Sequence, residues 1–281
     1  MLHLGSLLAA AASWIEARAR CGVWLLRIED IDPAREVPGA ADRIIAELAA
    51  YGMEPDEPVL WQSTRRAAHN EALATLLDGG RAFPCACSRA DLKPGGVYPG
   101  TCRRGLPPGR VARSIRFKAT GRVAFRDRGH GRIVQDLVRD CGDFVIRRAD
   151  GWAAYQLAVV VDDAAQGITD IVRGADLLFS TSRQIAVQRA LGLPTPGYLH
   201  LPLVLGPDGR KLSKRWHSDP LAGGDRPAAL RTVLTLLGQP PPTGIATLDG
   251  LWSYAVQHWN PSAIPRGVQP AAAGAILPSE D

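Results

Sequence analysis

The chain has 281 residues, 46% of them apolar, which allows a sizeable buried core and predicts a globular protein: one elaborated domain, or a domain with an insertion and a small C-terminal piece. Its net charge of +5 suits a polyanionic partner without establishing one. No stretch reaches the ~18 consecutive apolar residues of a membrane span, so a membrane-spanning helix is excluded.

Residues 5–20 have helical composition, and Gly22 stands where a helix stop belongs. The Ala-rich run 7–15 could pass for an export signal. It has no Lys or Arg ahead of it and leads straight into charged residues 16–20, so it reads as a buried amphipathic helix of a cytoplasmic protein. Residues 23–28 form a short apolar run ending in a charged cluster, the pattern of a buried parallel strand. Helical stretches follow at 40–51 and 64–77, the second closed by Gly79 and Gly80. Strand and helix in alternation predict an α/β sheet. The pattern breaks at Phe83: residues 83–111 hold cysteines, prolines and glycines with little periodicity and read as an insertion. Strand-like runs appear at 114–118, 122–125 and 143–147. Alternation then resumes through 154–161, 168–172 and a helix at 181–191. A Gly/Pro-rich stretch from Gly206 precedes one more helix at 226–237.

Four features carry chemistry. His3 and Gly5, with Ser6, open the first helix, whose N-terminal N–H groups and dipole suit a phosphate; His3 can donate to charge developing on it. Alone, a His and a Gly near an N-terminus are ordinary. Lys211, Ser213 and Lys214 follow a Gly-Pro-Asp-Gly turn. Two lysines three apart on a loop can neutralise a departing pyrophosphate, or can be an exposed basic loop and nothing more. Three of the five cysteines, Cys85, Cys87 and Cys102, crowd into eighteen residues, with Tyr98 four residues before the last. An odd cysteine count with such crowding points to a metal site in a reducing compartment, with free buried thiols as the alternative. Cys21 and Cys141 read as ordinary core residues. Residues 103–132 carry ten basic side chains against one acid, Asp127, which fits a solvated face or an RNA contact.

His-x-Gly at 3–5 with Lys-x-Ser-Lys at 211–214 resembles the paired signatures of class I aminoacyl-tRNA synthetases. Leu26-Arg27-Ile28-Glu29-Asp30-Ile31-Asp32 resembles the corresponding block of the glutamyl- and glutaminyl-tRNA synthetases, and so, in the family's order, do residues 143–151, 155–163, 171–178 and 200–203. The likeness runs from Leu2 to about Arg215. Only 66 of the 281 residues follow Arg215, which leaves no large anticodon-binding region. That feature and residues 28–41 resemble a short paralogous branch of the family, one that esterifies glutamate onto the queuosine base of the tRNA(Asp) anticodon.

The resemblance implies a Rossmann-type class I synthetase catalytic domain with a zinc-binding insertion and a small helical C-terminal region. Its halves would be residues 1–82 and 151–205. Residues 83–150 would form the zinc-containing, acceptor-binding-like insertion, and 206–281 the lysine loop and C-terminal helices. Glu29 would take the glutamate ammonium, Arg173 would grip a carboxylate and Tyr155 would add a hydroxyl. Unaided, Arg173 also reads as a surface ion pair and Tyr155 as a packed aromatic. His3 and Lys214 would bind ATP with its Mg2+, and His3, Gly5, Ser6, Lys211, Ser213 and Lys214 would serve activation. One structural Zn2+ would be held by Cys85, Cys87, Tyr98 and Cys102. The implied partners are ATP, L-glutamate and queuosine-bearing tRNA(Asp), with the chain a monomer and no membrane involved. The family also has a first strand ahead of His-x-Gly that supplies an Arg and a Ser to the pocket. Here the first strand is missing, so the natural chain is expected to begin about fifteen residues upstream, since a central strand's loss leaves neighbours unpaired. Competing readings are a truncated glutamyl-tRNA synthetase charging 3′ ends, a generic nucleotidyltransferase, and an inactive zinc-containing RNA-binding paralogue.

Overall fold

The computed structural model describes residues 2–88, 90–92, 96–205 and 224–270. Helix α1 (Leu4–Ala19) buries Leu4, Leu7, Leu8, Ala11, Ala12 and Ile15, a stripe at helical spacing. Each fully buried Leu or Ile contributes about 1.5–3 kcal/mol. The helix ends as expected near Gly22, whose N–H donates to Ala17 O at 2.8 Å. The left-handed residue of that turn, however, is Cys21 (φ 53°), a position usually given to glycine. Of the predicted strand 23–28, only β1 (Arg27–Ile28) forms a ladder, in parallel with β2 (Leu60–Trp61). Residues 24 and 26 are tied to the incoming chain by Asp56 N–H to Trp24 O and Leu60 N–H to Leu26 O. Between these strands lies α2 (Ala40–Ala50); after them come a 3-10 turn (Gln62–Arg65) and α3 (Arg66–Asp78), closed at Gly79 and Gly80 as predicted.

The insertion opens with β3 (Ala82–Cys85), which pairs antiparallel with β4 (Ser114–Phe117) and through it with a later strand. A hairpin follows, β5 (Arg122–Asp127) and β6 (Gly131–Asp136), then the single turn α4 (Leu137–Asp140) and β7 (Phe144–Arg147), which completes the order β3-β4-β7. The run 154–161 belongs to a helix, α5 (Tyr155–Ala165), with Leu157, Ala158, Val159 and Val160 buried. Next are β8 (Asp170–Gly174), α6 (Leu178–Leu191), β9 (Gly197–Leu201) and β10 (Leu203–Leu205). A four-stranded sheet in the order β6-β5-β9-β8 joins the hairpin to β8 and β9; β5, β9 and β8 run parallel. Two further helices, α7 (Arg226–Leu236) and α8 (Leu248–Gln257), and β11 (Val268–Pro270), parallel to β10, complete the described residues.

Two large apolar cores, with a small third around Phe83, Cys85, Ala86, Tyr98 and Cys102, hold this together. One gathers α1, α2, α7 and α8 with Leu199 and Leu201; the other gathers α3, α5, α6, β4 and β7. Helix α1 is also pinned through Glu16, 2% exposed, which pairs with Arg20 and Arg128 and accepts from Trp259 Nε1 at 2.5 Å. No described helix is long and apolar enough to cross a membrane.

Candidate active site

Parallel strands leave their C-terminal ends open for ligands, and here β1 and β8 deliver Glu29 and Arg173. Arg173 sits in β8 directly beside His200 of β9 in the parallel register. Its guanidinium has five N–H donors. Nε–H donates to His200 Nε2 at 3.2 Å, and one terminal nitrogen donates to Thr181 Oγ1 at 2.8 Å and Gln184 Oε1 at 2.7 Å. The other terminal nitrogen faces the Tyr155 hydroxyl at 3.4 Å. The back of the guanidinium is thus anchored to β9 and α6, and its remaining edge lies with Tyr155, the first residue of α5. This geometry is neither a surface ion pair nor a merely packed aromatic.

Glu29 follows β1. Its carboxylate pKa is raised by desolvation, opposed by the Arg27 guanidinium 3.6 Å away and, more weakly, by the charge of Arg173. Tyr155 is pushed up by burial, with Arg173 opposing and Glu29 reinforcing. Each of Glu29, Tyr155 and Arg173 lies in reach of the others' fields, so an anion, a cation and a hydroxyl come together at one candidate recess. Arg27 lies between two acids, 2.8 Å from Asp163 and 3.6 Å from Glu29. The next residue of the block, Asp30, faces away and accepts from Ser63 N–H (2.8 Å) and Oγ–H (2.5 Å), holding the start of the 3-10 turn. Buried Asp162, next to Asp163, ties the same turn to α5 through Gln62 (2.9 Å), Arg65 (3.2 Å) and His69 (3.0 Å).

At the N-terminus, His3 caps α1. Its Nδ1 accepts from Ser6 N–H at 3.1 Å, which leaves Nε2 as the protonated nitrogen of a neutral ring, 3.1 Å from Ser6 Oγ. Gly5 has a local reason to be glycine: a Cβ there would stand 3.2 Å from the His3 ring. Lys211, Ser213 and Lys214 lie outside the described residues.

The cysteines do converge. The sulfurs of Cys85, Cys87 and Cys102 lie within 4.8 Å of one another. Tyr98 Oη is 3.4 Å from Cys85 Sγ and 3.7 Å from Cys87 Sγ, and it accepts from Cys102 N–H at 2.9 Å. Zinc–thiolate bonds of about 2.3 Å in a tetrahedron set sulfurs about 3.8 Å apart, and Cys87 and Cys102 stand 3.8 Å apart. The Cys85 thiol is lowered to about 7: burial opposes ionisation, but hydrogen bonds from Tyr98, the Cys87 backbone and Arg116 outweigh it. Burial pushes the Cys87 thiol up; the convergence of three sulfurs and a phenol at these distances is what fits a structural zinc ion. Cys21 is exposed, contrary to its reading as a core residue; Cys141 is half-buried.

Reading the sequence missed Asp163, His200, Asp127, Thr181 and Gln184. His200 lies in a block matched to the family, and Asp127 is the only acid in a basic run. Nothing in the sequence pairs them.

The fold is that of a class I aminoacyl-tRNA synthetase catalytic domain. Residues 1–95 and 109–250 match the model of the tRNA synthetases class I (E and Q), catalytic domain, and the chain belongs to that family of ligase-type enzymes. It is 51% identical over 98% of its length, and 90% of the relative's, to a glutamyl-Q tRNA(Asp) synthetase of Aromatoleum aromaticum. It is 50% identical over 95% of its length, and 92% of the relative's, to one of Chromobacterium violaceum. Among solved structures it is similar to a glutamate-tRNA synthetase of Elizabethkingia anophelis, with a TM-score of 0.81 and 24% identity, covering 98% of this chain and 66% of that one. The chain therefore spans just under two thirds of that longer enzyme, and the likeness shows the fold.

Proposed function

We propose that this enzyme activates L-glutamate with Mg2+·ATP and transfers it to the queuosine base in the anticodon of tRNA(Asp). The observation that carries the first half is the recess at Glu29, Tyr155 and Arg173. A free glutamate has one ammonium and two carboxylates, and this recess offers one carboxylate for the ammonium and an anchored guanidinium edge for a carboxylate. The α-carboxylate attacks the α-phosphorus in line, giving glutamyl-adenylate and pyrophosphate. No protein nucleophile takes part; positioning and charge stabilisation by His3, the α1 N-terminus, Lys211 and Lys214 suffice. Gly5 and Ser6 hold His3 in place, and Ser213 belongs to the lysine loop. A hydroxyl of the queuosine cyclopentenediol then attacks the mixed anhydride and releases AMP.

Support for the queuosine acceptor comes from the relatives at about half identity, each a glutamyl-Q tRNA(Asp) synthetase over nearly its whole length. The same reading divides the chain at 82, 150 and 205 and assigns one structural Zn2+ to Cys85, Cys87, Cys102 and Tyr98. Zinc would turn the Tyr98 phenol, which burial and the neighbouring thiols push up, into a phenolate ligand, because a bound cation inverts the local titration. The decisive experiment is glutamate transfer to tRNA(Asp) with and without queuosine, alongside tRNA(Glu), with glutamate-dependent ATP–pyrophosphate exchange measured separately. Transfer only to queuosine-bearing tRNA(Asp) is expected. Transfer to the tRNA(Glu) 3′ end would favour an ordinary glutamyl-tRNA synthetase, and tRNA binding without exchange an inactive RNA-binding paralogue.

A further inference from the structure

Three side chains form a row across three adjacent parallel strands. Asp127 ends β5, His200 lies in β9 and Arg173 in β8. Neighbouring strands lie about 4.8 Å apart; Arg173 is registered with His200, and Asp127 with Tyr198, two residues before His200 on the same face, so all three side chains come within reach. His200 Nδ1 is 2.6 Å from Asp127 Oδ2, and Arg173 Nε is 3.2 Å from His200 Nε2. Both His200 and Asp127 are 1% exposed. A buried row of this kind is costly unless every member is satisfied, and here each donor meets an acceptor.

The proton positions follow from what each atom can do. Arg173 Nε can only donate, so His200 Nε2 must accept; a neutral imidazole then carries its proton on Nδ1, aimed at Asp127. Asp127 receives donors only: Gly129 N–H (2.9 Å) and His130 N–H (2.8 Å) on Oδ1, and His200 N–H (3.2 Å) and Nδ1–H on Oδ2. An ionised carboxylate is the one side chain that accepts all of these. Gly129 lets the hairpin turn come this close, since a Cβ there would lie 2.7 Å from His200 O.

We propose that Asp127 and His200 are positioning residues for glutamate recognition: Asp127 selects the Nδ1–H tautomer of His200, and that tautomer orients the Arg173 guanidinium toward the recess. The proposal rests on Arg173 being the carboxylate grip. Neither residue touches substrate; both act through Arg173. The titratable and charged groups facing His200 are Asp127 and His130 from the hairpin, Arg173 from β8 and the Tyr198 phenol, whose ring stacks on it at 6.1 Å. Burial lowers the His200 pKa below the ordinary 6.5, with Arg173 and His130 acting in the same direction and Asp127 against them. The ring is therefore neutral at pH 7. Protonation in acid would turn Nε2 into a donor facing a donor and loosen Arg173.

The test uses the full chain and ATP–pyrophosphate exchange, with KM measured separately for glutamate and ATP. His200→Phe keeps the stacked ring but removes the acceptor. It is expected to raise the glutamate KM about 10- to 100-fold, the worth of a hydrogen bond to a charged group, with the ATP KM within about twofold. His200→Gln, whose amide oxygen can reach the Nε2 position, is expected to restore most of the loss. Arg173→Ala is the control and is expected to raise the glutamate KM at least as much as His200→Phe. If Arg173→Ala does so while His200→Phe leaves it unchanged, the positioning role is overturned and the Arg173 reading stands. If Arg173→Ala has no effect on glutamate KM, the Arg173 reading falls and the inference with it. Should His200→Phe fail to fold, nitrogen-15 spectra of the unmodified chain decide, since it has only six histidines. A neutral Nδ1–H tautomer at His200 supports the row, and an Nε2–H tautomer overturns it.

Discussion

All four groups of the thiol–phenol cluster come from eighteen consecutive residues, 85 to 102, whereas the groups around Arg173 come from β1, β5, α5, β8, α6 and β9. Both are polar constellations in buried surroundings, yet they depend on the rest of the chain very differently. Closing a short loop around four ligands costs little chain entropy, and a metal can assemble such a unit almost by itself. The recess has no such shortcut. His200 meets Asp127 across 73 positions, and Arg27, before α2, meets Asp163 in α5, so these contacts exist only once the sheets and the two larger cores have formed. One region is a local staple and the other a product of cooperative folding.

The sharpest way to break this contrast is Asp162→Ala. Asp162 is fully buried and accepts from Gln62 and Arg65 and pairs with His69, joining α5 to the turn after β2. Its loss strands those groups and is expected to cost about 2–4 kcal/mol of global stability, read by urea unfolding, and to weaken glutamate binding through displacement of α5. A stability change below about 0.5 kcal/mol would mean that the recess is not supported as described. Cys102→Ala should do the reverse. Metal content is expected to fall from about one zinc per chain to none, and limited proteolysis should begin in residues 83–111. Glutamate-dependent exchange should stay within about threefold, because the lesion is a local opening. Loss of exchange in parallel with zinc would erase the distinction.

A smaller effect sharpens it through pH. Desolvation raises the Glu29 pKa above the ordinary 4.5, and on the proposed reading only its ionised form takes the glutamate ammonium. Catalytic efficiency for glutamate should therefore decline as pH falls through that raised value, at a pH above the ordinary carboxylate range. A carboxyl whose folded pKa is raised stabilises the fold at low pH, and that contribution is lost as pH rises. Glu29→Gln should accordingly remove the acid limb of glutamate efficiency, raise the glutamate KM, and slightly raise the melting temperature at pH 7. A lower melting temperature would show that Glu29 serves Arg27 as a structural partner and not the substrate.

Much of the architecture can be read without coordinates. The α1 stripe, the Gly79–Gly80 stop and the cysteine cluster are all patterns within a few turns or a few residues, where spacing translates directly into proximity. The Glu29, Tyr155 and Arg173 assignments came from resemblance, and their meeting in one recess depended on the pairing of separate elements. The short ladder of β1 within the apolar run 23–28 was not legible either, because strand extent depends on the neighbour's hydrogen bonds and not on the run's own composition.

What the amino-acid sequence determined by itself was the family, the α/β alternation and the local thiol set, since each is written in contiguous motifs or in helical period. What only the tertiary structure decided was the row Asp127–His200–Arg173. Asp127 sits in a basic run that otherwise reads as a solvated face, and His200 in a block with no evident titratable role. The parallel sheet β5, β9 and β8 buries both, with Arg173 registered beside His200 and Asp127, registered beside Tyr198, reaching His200 through its carboxylate. In that dry setting each donor must find its acceptor, which turns an isolated acid and an unremarked histidine into the support of the Arg173 guanidinium.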